Sequence, residues 1–187
     1  AHALGVGLRD AVLSLAKSPQ VPGRLEAVQA KRQFQVFVDY AHTPDALLNV
    51  LKTLRELSPR RIIVVFGCGG DRDRQKRPLM AAVVDQNADH AIITSDNPRK
   101  EDPDAILAEV EKGFRSDHYE KQVARTAAIA RPLELAQPHD LVLLAGKGHE
   151  TYQQFAPHPP PFVESTVARP PFQSQPGGVP VCTLTPL

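Results

Sequence analysis

The chain has 187 residues, 42% hydrophobic and 23% charged, with a formal net charge of +1. That composition supports one packed domain with flanking pieces and excludes global disorder. The near-zero charge gives no basis for binding nucleic acid or an anionic membrane, and no apolar run approaches the ~20 residues of a membrane span. Two cysteines, Cys68 and Cys182, make neither a disulfide framework nor a zinc spacing. No secretory leader is recognisable. A reducing cytoplasm is the expected compartment and a monomer the expected state.

In chain order, Leu4, Leu8, Val12, Leu13 and Leu15 form a helical stripe within Ala3 to Ala16. A chain that starts inside a helix, with Ala1, is expected to be part of a longer protein. Val21-Pro22-Gly23-Arg24 reads as a connector. Leu25 to Ala30 and Phe34 to Asp39 read as strands turning at Lys31-Arg32. Thr43 is placed to cap a helix with Pro44 at its first position, running to Ser58-Pro59. Ile62 to Phe66 is a buried strand. The loop Gly67 to Arg77 follows, then a helix from Pro78 to Ala88. Ala91 to Thr94 is a strand ending in Asp96-Asn97-Pro98-Arg99, and a helix spans about Pro103 to Phe114. A weaker helix covers Ala124 to Ala136. The strand Leu141 to Leu144 leads into Gly146-Lys147-Gly148-His149-Glu150, and Thr151 to Phe155 with Phe162-Val163 reads as a closing hairpin. The last 31 residues hold nine of the 18 prolines and no charge past Arg169, which reads as an irregular tail.

Alternating helices and solid apolar strands predict an α/β fold: a Rossmann-like, mostly parallel sheet with helices on both faces. Three loops then share the carboxyl edge of the sheet, where such folds bind small molecules. The first, Gly67-Cys68-Gly69-Gly70, has the glycines of a phosphate loop, but Arg72 stands where the third glycine of GxGxxG would fall, and there is no Walker A pattern. The loop instead presents Arg72, Arg74, Lys76 and Arg77, either as solvated charge or beside a partner that its glycines let approach. Cys68 reads as a packed side chain. Asp96-Asn97-Pro98-Arg99 is either an Asx turn capping the next helix or a site, with Arg99 suited to a carboxylate. The third loop is either a tight turn with exposed charges or a site containing Glu150. His42 and His149 lack metal-ligand spacing. Cations at Arg72 and Arg99 with a carboxylate at Glu150 suit a zwitterion such as an amino acid.

The segments VPGRLE, VDYAHTPDAL, VFGCGGDRDRQKRPLM, TSDNPRKEDP and AGKGHETYQ occur in this order. Over about Ala1 to Arg169 the chain resembles the C-terminal part of the Mur ligases that add diaminopimelate as the third residue of the peptidoglycan stem peptide. The resemblance implies ATP-dependent amide formation on UDP-MurNAc-L-Ala-D-Glu through an acyl phosphate. It implies ATP and Mg2+ as cofactors, held mainly by a central domain whose P-loop, metal ligands and carbamylated lysine are outside this chain. The chain alone is expected to be inactive and to contain no catalytic or metal-binding residue.

The implied division is 1–20 as the last helix of that central domain, 21–25 as hinge, 26–168 as the amino-acid-binding domain and 169–187 as tail. Position by position, the resemblance implies that Arg24 meets the nucleotide phosphates and Asp39 the ribose side, with Tyr40 and His42 near the nucleotide. Arg72, Asn97 and Arg99 would bind the far end of meso-2,6-diaminopimelate, within the tetrapeptide that Asp96 and Pro98 complete. Gly146, through its carbonyl, and Glu150 would take the distal ammonium. After Arg169 the family's final helix is interrupted here by Pro170-Pro171. Two other readings stay open: a stand-alone α/β binding module for a nucleotide or acidic metabolite, and a recycling or folate-type amide ligase, against which the tetrapeptide speaks.

Overall fold

A computed structural model describes residues 5–28 and 33–150 together with Glu164 and Ala168. The elements are α1 (Leu8–Ala16), β1 (Glu26–Val28), β2 (Gln35–Asp39), α2 (Pro44–Arg55), β3 (Ile62–Cys68), α3 (Lys76–Asn87), β4 (His90–Ser95), α4 (Pro103–Glu111), β5 (Tyr119–Lys121), α5 (Arg125–Leu135) and β6 (Leu141–Ala145).

The six strands form one sheet in the order β1-β2-β6-β3-β4-β5. Only β1 runs antiparallel, paired with β2; the other pairings are parallel. Every residue of β3 and β6 is buried, as expected for central strands covered on both sides.

The connections decide which helix covers which face. The chain steps outward from β2 to β3, β4 and β5, then returns to insert β6 between β2 and β3. Right-handed crossovers put helices of outward and returning steps on opposite faces. Leu47, Leu51 and Leu54 of α2, Met80 and Val84 of α3, and Ile106, Leu107 and Val110 of α4 pack together with Ile62, Val64, Phe66 and Leu143. On the other face Ala128, Ile129 and Leu133 of α5, with Ala168, pack on Val38, Val65, Ile92 and Leu144.

Local chemistry sets the helix starts. Thr43 Oγ1 accepts the Ala46 N–H at 3.3 Å, with Pro44 in first position. Asp102 Oδ1 caps α4 by accepting from the Asp104 N–H at 3.1 Å.

Several boundaries differ from the sequence expectation. The first helix begins at Leu8, not Ala3, and none of its residues is buried. The third strand runs on through Gly67 and Cys68, and the following helix starts at Lys76, which puts Pro78 in its first turn. The β5 strand was not expected at all. Its sequence, Tyr-Glu-Lys, is too short and polar for a periodic signal, and pairing with β4 makes it a strand. The Lys31-Arg32 turn, the hairpin after Thr151 and the tail lie outside the described residues.

Nor does the loop after β3 present all its cations. Arg77 is fully buried. Its Nη1 donates to Glu101 at 2.9 Å and Glu109 at 2.7 Å, and Nη2 to the Gly69 carbonyl at 3.3 Å. Arg74 also pairs with Glu109. The two guanidiniums tie α3 and the site loop to α4.

The Arg74 hydrogen bonds, with Arg77 behind them, hold the Glu109 carboxyl down at about 2 against an ordinary 4.5. A carboxyl depressed by folding stabilises the native state above its unfolded value, and that stabilisation is lost as pH falls toward the folded one. Urea midpoints should therefore drop between pH 4.5 and about 2. The drop should be shallower in Glu109→Gln; parallel curves would assign the acid sensitivity elsewhere.

Candidate functional site

The parallel strands β2, β6, β3 and β4 are neighbours, so the loops after them open on one edge. Beyond β4, Asp96 and Asn97 are buried. They do not cap α4, which Asp102 does. The loop is instead joined to the one after β3. The Gly70 N–H donates to the Asn97 carbonyl at 2.9 Å, and the Asp71 N–H to Glu101 Oε1 at 2.6 Å. A Cβ on Gly70 would stand 1.9 Å from the Pro98 oxygen, so this glycine makes room for the protein's own backbone.

Arg99 sits in the left-handed region at φ 53°, an uncommon state for a side-chain-bearing residue and one enriched at functional sites. Its Nη1 donates to the Gly70 carbonyl at 2.8 Å and the Asn97 carbonyl at 3.3 Å. Among the described residues, no hydrogen bond engages its Nε or Nη2. Arg72 is exposed, and its Cγ lies 3.7 Å from where a Gly69 Cβ would be, with Arg99 Nη1 2.8 Å from the same point. The fold therefore brings both predicted arginines alongside Gly69.

The loop after β6 meets this pair from the other side. The Gly146 N–H donates to the Asp39 carbonyl at 3.0 Å. Lys147 is fully buried, contrary to the reading of this turn as exposed charge. Its Nζ lies 2.8 Å from Asn97 Oδ1, 3.1 Å from Asp96 Oδ1 and 3.4 Å from Glu150 Oε2. Asn97 Nδ2 donates to the same Glu150 oxygen at 2.9 Å. An ammonium, an amide and two carboxylates thus form one connected set.

A second group adjoins it. The Arg24 guanidinium lies 5.1 Å from the centre of the Tyr40 ring, a cation–π distance. Tyr40 is also 4.6 Å from the His42 ring and 5.2 Å from that of His149. His42 Nδ1 lies 2.8 Å from the Tyr40 carbonyl, so that nitrogen carries the hydrogen. Asp39 accepts from the Leu25 N–H at 2.7 Å and the Ala41 N–H at 2.8 Å, latching the connector to the end of β2. Gly148, at φ 52°, would bring a Cβ within 2.8 Å of the Tyr40 Cβ and 2.9 Å of the Gly23 carbonyl. Only a glycine lets these three backbones meet.

Burial pushes the Cys68 thiol up to about 12, so it is a packed, protonated side chain as expected. Among the described residues no group of three or more His, Cys, Asp or Glu gathers as metal ligands would. No helix among them is long and apolar enough to cross a membrane.

Residues 23–148 match the family described as Mur ligase, glutamate ligase domain. The chain belongs to the Mur ligase family. It is 48% identical over 169 residues to a UDP-N-acetylmuramoyl-L-alanyl-D-glutamate–2,6-diaminopimelate ligase of Halalkalibacterium halodurans, a match covering 90% of this chain and 35% of that protein. A ligase of the same name from Lawsonia intracellularis is 51% identical over 153 residues, or 80% of this chain and 31% of the relative. A solved structure of such a ligase superposes with a TM-score of 0.75 at 42% identity, covering 90% of this chain and 35% of that one. The chain thus spans about a third of the length of the relatives it matches.

This Mur ligase domain also holds its loops from below, with residues that sequence reasoning missed. Arg125, at the start of α5, is buried. It donates to the Ser95 carbonyl at 3.3 Å and the Ala145 carbonyl at 2.8 Å, and so bridges the ends of β4 and β6 across β3. Its Nε donates to the buried Glu164 at 2.7 Å. Burial pushes the Glu164 carboxyl up against the pull of Arg125. The two residues are 39 positions apart, and nothing in the local pattern of either marks the pair.

Arg125→Met should strand a buried carboxyl and two carbonyls, at a cost of about 3–5 kcal/mol in urea unfolding. Glu164→Gln keeps an acceptor for the guanidinium and should cost less. Equal losses would contradict the pairing described.

Proposed function

We propose that this Mur ligase chain is the C-terminal, amino-acid-binding portion of an ATP-dependent ligase that adds meso-2,6-diaminopimelate to UDP-MurNAc-L-Ala-D-Glu. The observation that carries the reading is the junction of two loops through the Asn97–Glu150 hydrogen bond of 2.9 Å. It sets a carboxylate close beside the loop that bears Arg99. Relatives named for this substrate pair share about half the sequence, which supports the same choice here.

Diaminopimelate differs from lysine by one carboxylate on its distal carbon. In the proposed site Arg99 and Arg72 hold that carboxylate, with Asn97 beside them. Arg99 has its Nη1 anchored on backbone carbonyls, so its Nε and Nη2 edge is pre-aimed for a bidentate contact. Glu150 and the Gly146 carbonyl take the distal ammonium, while Asp96 and Pro98 shape the tetrapeptide. A lysine would leave a desolvated guanidinium without a partner, which is a strong basis for rejection.

ATP, when bound, supplies the phosphoryl group that activates the D-glutamyl carboxylate as an acyl phosphate. This chain holds the incoming amine where that carboxylate is presented, and such positioning carries much of an amide-forming reaction. Arg24, Tyr40 and His42, a cation over a ring with a second ring beside it, fit the edge of a nucleotide, with Asp39 toward its ribose.

The exposed stripe of Leu8, Val12, Leu13 and Leu15 on α1 fits residues 1–20 as the last helix of a preceding ATP-binding domain. Residues 21–25 then serve as hinge and 26–168 as the domain proper. A cytoplasmic location fits the cysteine usage.

In the longer ligase, Arg99→Ala should raise the KM for diaminopimelate about 10- to 100-fold, the worth of a charge-assisted hydrogen bond pair, and leave the KM for ATP nearly unchanged. Arg24→Ala should do the reverse. Steady-state kinetics with each substrate varied in turn decides it, and equal rises for both substrates would refute the division of roles.

A further inference from the structure

We infer that Lys147 is a positioning residue: it fixes which end of the Asn97 amide meets the ligand, and so makes the site read a carboxylate. The inference deepens the diaminopimelate reading and rests on it for the identity of the ligand.

An ammonium has three donors and no acceptor, and an ionised carboxylate has only acceptors. Asn97 lies between one of each. Its Oδ1 is 2.8 Å from Lys147 Nζ, and its Nδ2 is 2.9 Å from Glu150 Oε2. Turned over, the amide would set an NH2 group against the ammonium and an oxygen against the carboxylate. Both neighbours therefore demand the same orientation. The two ends of an amide are otherwise hard to tell apart, and here donor chemistry alone assigns them.

The side of the amide away from Lys147 then carries donors only. It reads an acceptor, as the arginines of the same edge do. Arg99 Nη1 is 3.3 Å from the carbonyl of Asn97 itself, so the two donors sit on one rigid loop. The unsubstituted distal methylene of lysine offers that loop nothing.

Lys147 is held firmly enough to act this way. It is fully buried and stands 3.1 Å from Asp96 Oδ1 and 3.4 Å from Glu150 Oε2. A neutral amide at 147 could turn with Asn97; an ammonium cannot become an acceptor. Lys147 acts through Asn97 and does not itself need to touch the ligand.

The test uses the full 187-residue chain, labelled with nitrogen-15. The Asn97 side-chain amide is followed by NMR, and meso-diaminopimelate and L-lysine are titrated by calorimetry. In the wild type the two Nδ2 protons should be well separated and slow to exchange with solvent. In Lys147→Met they should move toward the positions of an exposed asparagine. Diaminopimelate binding should weaken about 10- to 100-fold, with L-lysine binding changed by less than about threefold.

A folded Lys147→Met chain with unchanged Asn97 signals would overturn the proposal, as would equal weakening for both amino acids. Averaged, fast-exchanging Asn97 protons in the wild type would overturn it without any variant. A wild-type chain that takes up no diaminopimelate, while the amide signals still respond to Lys147→Met, would support the orienting role and refute the substrate reading instead.

Discussion

The Lys147 ammonium lies at the point where the loops after β4 and β6 come together, out of water and among the side-chain oxygens of Asp96, Asn97 and Glu150. Removing a charge from water costs several kcal/mol, and only well-placed partners offset that. Those partners are the groups that would otherwise be separate features of two loops. Charge compensation and site assembly are therefore the same event: the loops can close over the lysine only in the arrangement that gathers its oxygens.

The arrangement is supported from both faces of the sheet. Above, Arg77 ties the loop after β3, at the Gly69 carbonyl, to Glu101 in the loop after β4 and to Glu109 of α4. Below, Arg125 gathers the last carbonyls of β4 and β6. Buried guanidiniums suit this work because one planar fork reaches several acceptors at once. The backbone adds a third restraint, in which Gly70 lies against Pro98 and Gly148 against Tyr40 and Gly23. A ligand at the proposed site would meet Asn97, Arg99 and Glu150 already held in place, which lowers the cost of ordering them on binding.

The second group, Arg24 over Tyr40 with His42 and His149, shares the loop after β6 with the first. Gly146 is bonded to Asp39, and His149 lies between Gly148 and Glu150 in the same short turn. One five-residue loop thus touches both the proposed amino-acid end and the proposed nucleotide end. The physical link between them is backbone geometry, with the connector at Gly23 packed directly against it.

Much of this was legible in the residues. The solid runs Ile62 to Phe66 and Leu141 to Leu144 declared buried parallel strands. Thr43-Pro44 declared a helix start, and the glycines and charges marked the three loops at one edge. Those signals are local, because they arise from burial, capping and turn chemistry within a few residues. What the tertiary structure alone decided was which charges face water. Arg74, Arg77, Lys147 and Arg125 are alike as sequence: each is a cation beside a turn or a helix start. Arg74 stays at the surface and the other three are buried. Arg77, Arg125 and Lys147 meet carboxylates and carbonyls 20 to 50 positions away out of water, whereas Arg74 meets Glu109, 35 positions away, at the surface. A cation's fate depends on the partners that the fold delivers to it, and those distances along the chain carry no local pattern.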